Sequence, residues 1–321
     1  MKKPRVPAMK YPLLLIYRIV GIIFRQDGRI AKRLPDYFPT YRSFFGELLN
    51  QFFRLMGMPR SFQPQGVILE PTNSCNLKCE HCSARINEEK RGFMEYDFYT
   101  HIIDSNPQIT CLMLSRYGEP LLHPRIFDMI TYAKRKGIYV FLYTNGTLLS
   151  EKMSDMILSS GLDEIFFSLE GTGEDYEKNR GFQYEKLKDS MEHLIRKKET
   201  AGSDIKIGIN VAGLDGIDRR LDAVRREWGD KVTYVETEPL IGTKSSPRDR
   251  SCRTLWRNAV IRWDGIVFPC CIDMNSSLAI GDAKKNTLKE IFNGPEALSL
   301  RRRHLEKRFP SVCKTCDKMF G

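Results

Sequence analysis

No apolar run in this 321-residue chain reaches the roughly 18–20 residues of a membrane-spanning helix. The basic start and the apolar stretch behind it lack a convincing small-residue cleavage site, so no secretory signal is expected. Nine cysteines are too sparse for a disulfide-stapled scaffold, and their spacing matters more than their number. Acidic residues are scarce at the beginning: residues 1–60 hold 3 Asp/Glu against 12 Lys/Arg, while the rest of the chain holds 37 against 39. Positive charge therefore belongs to an N-terminal stretch, not to the bulk of the chain, which argues against a nucleic-acid substrate. With 41% apolar and 28% charged residues the composition is globular, and the length allows one large domain or two modest ones.

Three parts are expected. Residues 1–62 form a basic, apolar, helical extension with Tyr11–Phe24 and an aromatic stretch around Phe44, Phe45, Phe52 and Phe53. Gln63-Pro64-Gln65-Gly66 reads as a linker or turn. Residues 63–243 alternate short apolar runs (67–70, 111–115, 139–143, 164–169, 205–211 and 232–235) with amphipathic stretches (96–104, 124–136, 151–160, 184–200 and 218–228). Six strands separated by helices predict an α/β fold with a parallel sheet, curled into a partial barrel. Residues 244–321 are short and cysteine-rich, with an Asp264-Gly265 hairpin and helices over 288–293 and 295–307.

The strongest chemical signal is Cys75-x3-Cys79-x2-Cys82 in the loop after the first strand. Three thiolates on a [4Fe–4S] cube leave one iron open for a cofactor. A zinc site completed by His81 is the alternative. A second set comprises Cys252, Cys270, Cys313 and Cys316, which suits a cluster without an open iron, or tetrahedral zinc. Cys271 reads as a packed neighbour and Cys111 as core. His81 and His123 are read as packing residues, not as catalytic bases.

The cysteine triplet in this position resembles the radical S-adenosylmethionine (radical SAM) superfamily. Gly118-Glu119-Pro120 resembles that family's Gly-Gly-Glu-Pro segment, with Tyr117 in place of the first glycine. Thr144-Asn145-Gly146 follows the third strand, Ser168-Leu169-Glu170-Gly171 resembles Ser-x-Asp-Gly, and Arg180-Gly181 matches a carboxylate-binding arginine. The resemblance implies a partial (β/α)6 barrel. It also implies SAM contacts from Gly118, Glu119, Pro120, Asn145, Ser168, Glu170 and Arg180, with Glu119 taking the ammonium and Arg180 forking onto the carboxylate. Gly118 is expected to permit close backbone approach. The tail resembles a SPASM/twitch domain, through Asp264-Gly-x-Val-x-Pro-Cys270 and the 288–293 helix, which favours iron over zinc there.

Two [4Fe–4S] clusters and SAM are thus the implied cofactors. The implied activity is reductive cleavage of SAM to a 5′-deoxyadenosyl radical, which takes a hydrogen atom from the substrate. Oxidation of a small or lipid-linked metabolite is expected; a peptide maturase is the alternative, and a non-catalytic metal scaffold a distant one. Glu236 and Glu238, on one face of the sixth strand, are acid/base candidates beside Asn210. Flavodoxin or ferredoxin is the implied electron donor. The protein is expected in the cytoplasm, with residues 1–60 able to touch the inner membrane face.

Overall fold

The computed structural model describes residues 41–80, 82, 90–213, 216–239, 248–271, 273, 276–314 and 316. Most of the N-terminal extension, His81 and the side chain of Glu238 lie outside the described residues.

After helix α1 (Tyr41–Leu55) the chain enters a regular alternation: β1 (Gly66–Leu69), α2 (Tyr96–Ser105), β2 (Cys111–Leu114), α3 (Ile126–Arg135), β3 (Tyr139–Thr144), α4 (Glu151–Ser159), β4 (Glu164–Leu169), α5 (Gly173–Arg180), α6 (Tyr184–Thr200), β5 (Lys206–Gly213), α7 (Ile217–Trp228) and β6 (Tyr234–Pro239). The six strands pair in parallel in sequence order, so each β-α unit adds one strand beside the last. This is the α/β fold that the periodicity predicts.

Burial explains the element types. The apolar run of β4 is buried along almost its whole length, as a strand covered on both faces requires. In α6 the buried positions are Tyr184, Leu187, Met191, Leu194 and Ile195, spaced by three or four along one helix face. Ser150 caps α4 by accepting from Met153 N at 3.2 Å.

The tail comprises β7 (Asn258–Ile261), β8 (Ile266–Phe268), β9 (Gly281–Asp282), α8 (Leu288–Phe292), α9 (Pro295–Leu305) and α10 (Ser311–Lys314). Gly265, at φ +99°, makes the hairpin turn between β7 and β8. The tail does not stand apart from the sheet. β7 pairs in parallel with β1, Gly66 opposite Asn258, so the nine-stranded order runs β6-β5-β4-β3-β2-β1-β7-β8-β9. The described part of the extension also meets the tail: Ser61 Oγ donates to Trp256 O (2.8 Å), Trp256 Nε1 to Met58 O (3.1 Å) and Arg301 Nη1 to Pro59 O (3.1 Å).

Candidate functional site

In a parallel sheet all strands end on one side, and the motifs occupy the loops there. The cysteine loop leaves β1 through a clamp. Thr72 Oγ1 donates to Gly92 O (2.6 Å), Asn73 Nδ2 donates to Lys90 O (2.9 Å), and Gly92 N donates to Asn73 Oδ1 (2.9 Å). These bonds close the base of the 73–92 excursion. Inside it, Cys82 N donates to Cys79 O (3.2 Å) and Leu77 N to Cys75 Sγ (3.5 Å).

The next loop is fixed to this one. A Cβ on Gly118 would fall 2.2 Å from Thr72 O and 2.6 Å from Ser74 O, so only glycine fits. Glu119 N donates to Ser74 O at 2.8 Å. The buried Glu119 carboxylate accepts from Leu121 N (3.0 Å), Thr144 Oγ1 (2.8 Å) and Asn145 N (2.7 Å). Burial pushes its carboxyl pKa up, and those three donors pull the other way. Pro120 is buried and opens the short 3-10 turn Pro120–Leu122. Tyr117 sits where the family has a glycine, and its φ is not positive, so the backbone there asks for no glycine.

Asn145, after β3, reaches back to the cysteine loop: its Nδ2 donates to Asn76 Oδ1 (3.0 Å) and to Cys75 Sγ (3.7 Å). Asn76 Nδ2 in turn donates to Thr147 Oγ1 (2.8 Å). Beyond β4, Arg180 forks onto Glu170, with Nε and Nη2 each 2.5 Å from a carboxylate oxygen. Arg180 is the last residue of α5, which Gly181 ends at φ +67°. Burial works against the Arg180 charge, but the Glu170 carboxylate overcomes it and raises the guanidinium pKa. Glu80 N donates to Asn179 O (3.1 Å), joining α5 to the cysteine loop.

These loops thus bring Cys75, Cys79, Cys82, Glu119, Asn145, Glu170 and Arg180 together. Burial raises the Cys75 and Cys79 thiol pKa values. The charges of Cys82 and of Glu119 or Glu170 add to that, and Arg180 offsets it at Cys79. Three thiolates here need a positive counter-group, and an iron–sulfur core supplies one. The donor set therefore fits the cluster. The expected SAM contacts differ in one respect: the charges of Glu119 and Arg180 are already engaged within the protein.

Ser168, Asn210 and Glu236 lie opposite one another across β4, β5 and β6, forming a row. His123 is buried, with Nε2 2.9 Å from Met94 O and Nδ1 accepting from Arg125 N at 3.1 Å, which is a packing role. Sequence reasoning missed the Thr72/Asn73 clamp, Asn76 and Thr144, whose small polar side chains carry no periodic signal. It also missed Glu70 and Arg116, at the ends of β1 and β2. Their side chains are 0% and 1% exposed and 3.9 Å apart. Glu70 Oε1 and Arg116 Nε and Nη1 have no hydrogen-bond partner among the described residues. A signal existed: each is a charged residue just past an apolar run.

In the tail, Cys252 is buried and lies within electrostatic reach of Cys316 and Cys313. Burial and those two neighbours push the Cys313 thiol up to about 12. Arg248 Nε donates to Cys313 O (3.2 Å) and Nη2 to Cys316 O (3.4 Å). Cys270 follows β8, and Cys271 lies within electrostatic reach of Tyr117. All nine cysteines are free. Among the described residues no three His, Cys, Asp or Glu side chains converge tightly enough for a single metal ion; a cube spreads its ligands over separate irons.

Two family profiles match: the radical SAM superfamily over residues 69–230, and an iron–sulfur cluster-binding domain (SPASM) over residues 252–317. A tungsten-containing aldehyde ferredoxin oxidoreductase cofactor-modifying protein of Pyrococcus furiosus is 36% identical over 105 residues, covering 32% of this chain and 30% of that protein. An Fe-coproporphyrin III synthase of Methanosarcina barkeri is 30% identical over 158 residues, covering 49% and 35%. The chain spans about a third of the length of such relatives. BtrN in complex with AdoMet and 2-DOIA shares the fold at TM-score 0.55 and 17% identity, covering 80% of this chain and 94% of that one. The anSMEcpe enzyme with bound AdoMet does so at 0.61 and 17%, covering 75% and 81%. The chain belongs to the radical SAM superfamily, whose domain binds S-adenosylmethionine and a [4Fe–4S] cluster, and its C-terminal domain binds further iron–sulfur.

Proposed function

We propose that this enzyme oxidises a small or lipid-linked metabolite, with two [4Fe–4S] clusters, one on Cys75, Cys79 and Cys82 and one on Cys252, Cys270, Cys313 and Cys316. Residues 63–243 form the catalytic domain and residues 244–321 the auxiliary-cluster domain on this reading. The carrying observation is the network that ties the cysteine loop to Glu119, Asn145 and α5 at the open ends of the strands. Bound SAM and its cluster supply a carbon-centred radical that removes a hydrogen atom from the substrate. The protein's part is positioning. Gly118, Glu119, Pro120 and Asn145 shape one wall, and Ser168, Glu170 and Arg180 the other. Glu236 and Glu238 are the groups proposed to take a proton from the oxidised substrate. Glu70 and Arg116, buried with unpaired atoms beside the tail, are suited to contact a neutral polar substrate.

The small-molecule reading draws on BtrN, whose complex holds 2-DOIA and whose chain is covered over 94% of its length. A peptide maturase remains the second reading, because anSMEcpe with the Cp18Cys peptide is covered over 88%.

Anaerobic reconstitution with iron and sulfide, then dithionite and SAM, tests the proposal. About eight irons per chain are expected, with release of methionine and 5′-deoxyadenosine. Replacing Cys75, Cys79 and Cys82 together by Ala is expected to abolish that release and leave about four irons in the tail. Stoichiometric zinc beside only one cluster would defeat the two-cluster assignment.

A further inference from the structure

Helix α1 is inside out. Successive helical residues turn by about 100°, so positions 46, 47, 50 and 51 share one face and 45, 52 and 56 the opposite one. The first face is buried and mostly polar: Glu47, Asn50 and Gln51 are 9%, 1% and 2% exposed. Its polar groups are matched by the tail and by the chain that follows. Arg257 Nε lies 2.7 Å from Glu47 Oε1, and Asn50 Oδ1 accepts from Phe62 N (2.7 Å) and Ser61 Oγ (2.9 Å). The second face is apolar and open to solvent: Phe45, Phe52 and Met56 are 61%, 51% and 60% exposed, with Leu55 (62%) and Met58 (43%) beside them.

Five of the seven large exposed hydrophobic residues among the described residues therefore fall between positions 45 and 58. Isolated exposed apolar residues need no explanation, but a contiguous patch marks a docking surface. The polar face is locked by four named partners, so the helix cannot rotate to bury the other.

We propose that this face of α1 docks on the surface of an anionic membrane. The charge around it selects the occupant. Residues 1–60 carry 12 Lys/Arg against 3 Asp/Glu. Arg60 is exposed next to the patch, and Arg54 lies in the last turn of α1. Aromatic and aliphatic side chains beside basic residues are the composition of an interfacial helix, which combines apolar insertion with attraction to acidic headgroups. A second copy of the chain would bring like charges together. A neutral protein partner would leave the basic excess without a function. No helix among the described residues is long and apolar enough to cross a membrane, so the contact is one of lying on the surface. The inference does not depend on the chemistry of the cysteine sites, because its test reads binding.

The test is co-sedimentation of the full chain with phosphatidylcholine vesicles and with vesicles containing about a third phosphatidylglycerol, at low and at raised salt. Binding is expected on the anionic vesicles alone, weakening with salt. In the Phe45→Gln/Phe52→Gln/Met56→Gln variant all three side chains are more than half exposed, so the fold is expected to survive. Its vesicle affinity is expected to fall about tenfold or more, with an unchanged circular dichroism spectrum. Three results would each overturn the proposal. One is no sedimentation with anionic vesicles at low salt. Another is wild-type affinity in the triple variant. The third is a stable dimer in light scattering that the same substitutions dissociate, which would make the face an interface between copies.

Discussion

At the scale of single residues, the Arg180–Glu170 fork decides how the second wall of the site works. The two side chains are only 12% and 10% exposed, so each neutralises a charge the other could not carry there alone. Arg180→Ala strands the Glu170 carboxylate and is expected to destabilise the protein by about 3 kcal/mol. Adding Glu170→Ala is expected to restore part of that, with a coupling energy of about 2 kcal/mol in a double-mutant cycle. Urea unfolding measures the cycle, and calorimetric SAM titration of the same variants reads the functional side. An Arg180→Ala variant that lost SAM affinity at unchanged stability would show that the arginine serves the ligand directly and that the fork is incidental.

At the scale of elements, the loops after β1 and β2 behave as one unit because Gly118 lets their backbones touch. Gly118→Ala would set a methyl group 2.2 Å from Thr72 O, and neither backbone can retreat without breaking the Glu119–Ser74 hydrogen bond. The expected cost is about 3 kcal/mol, with iron lost from the Cys75 loop before the tail. Iron content and the unfolding midpoint after reconstitution check both. The glycine was legible in the sequence, but what it packs against was not. The strands were legible from apolar runs, and β4 and α6 lie where periodicity puts them. Helix α5 was not: its sequence, Gly-Glu-Asp-Tyr-Glu-Lys-Asn-Arg, offers Tyr176 as its one large buried apolar side chain. Tertiary contacts, not an amphipathic pattern, hold it. Likewise the three cysteines announced themselves by spacing, whereas the Thr72/Asn73 clamp depends on residues 17 to 20 positions apart, which no local pattern encodes.

At the scale of the whole molecule, the tail is a continuation of the sheet. β7 covers the edge of β1 through four registered pairs, and without it β1 would present an unpaired strand edge. The contacts around it are core contacts: Trp256, Phe268 and Phe292 are fully buried, and the buried Arg301 side chain donates to Leu255 O (2.8 Å), Phe292 O (2.6 Å) and Pro59 O (3.1 Å). The three carbonyls belong to segments far apart in sequence, so one guanidinium ties the tail to the chain entering β1. A tail added as a separate module would unfold by itself; one that completes the sheet cannot. The full chain is therefore expected to unfold in a single transition, with tryptophan fluorescence and far-ultraviolet circular dichroism coinciding. A chain ending at Thr243 is expected to aggregate and to retain little iron on Cys75, Cys79 and Cys82, although all three ligands are still present. A truncated chain that stayed monomeric, with native helix content and a full first cluster, would refute this coupling. It would reduce the β1–β7 pairing to a contact between two independently stable domains. If the coupling holds, the first cluster depends on the tail through the strand that launches its loop, since β1 ends at Leu69 and the cysteine clamp begins at Thr72.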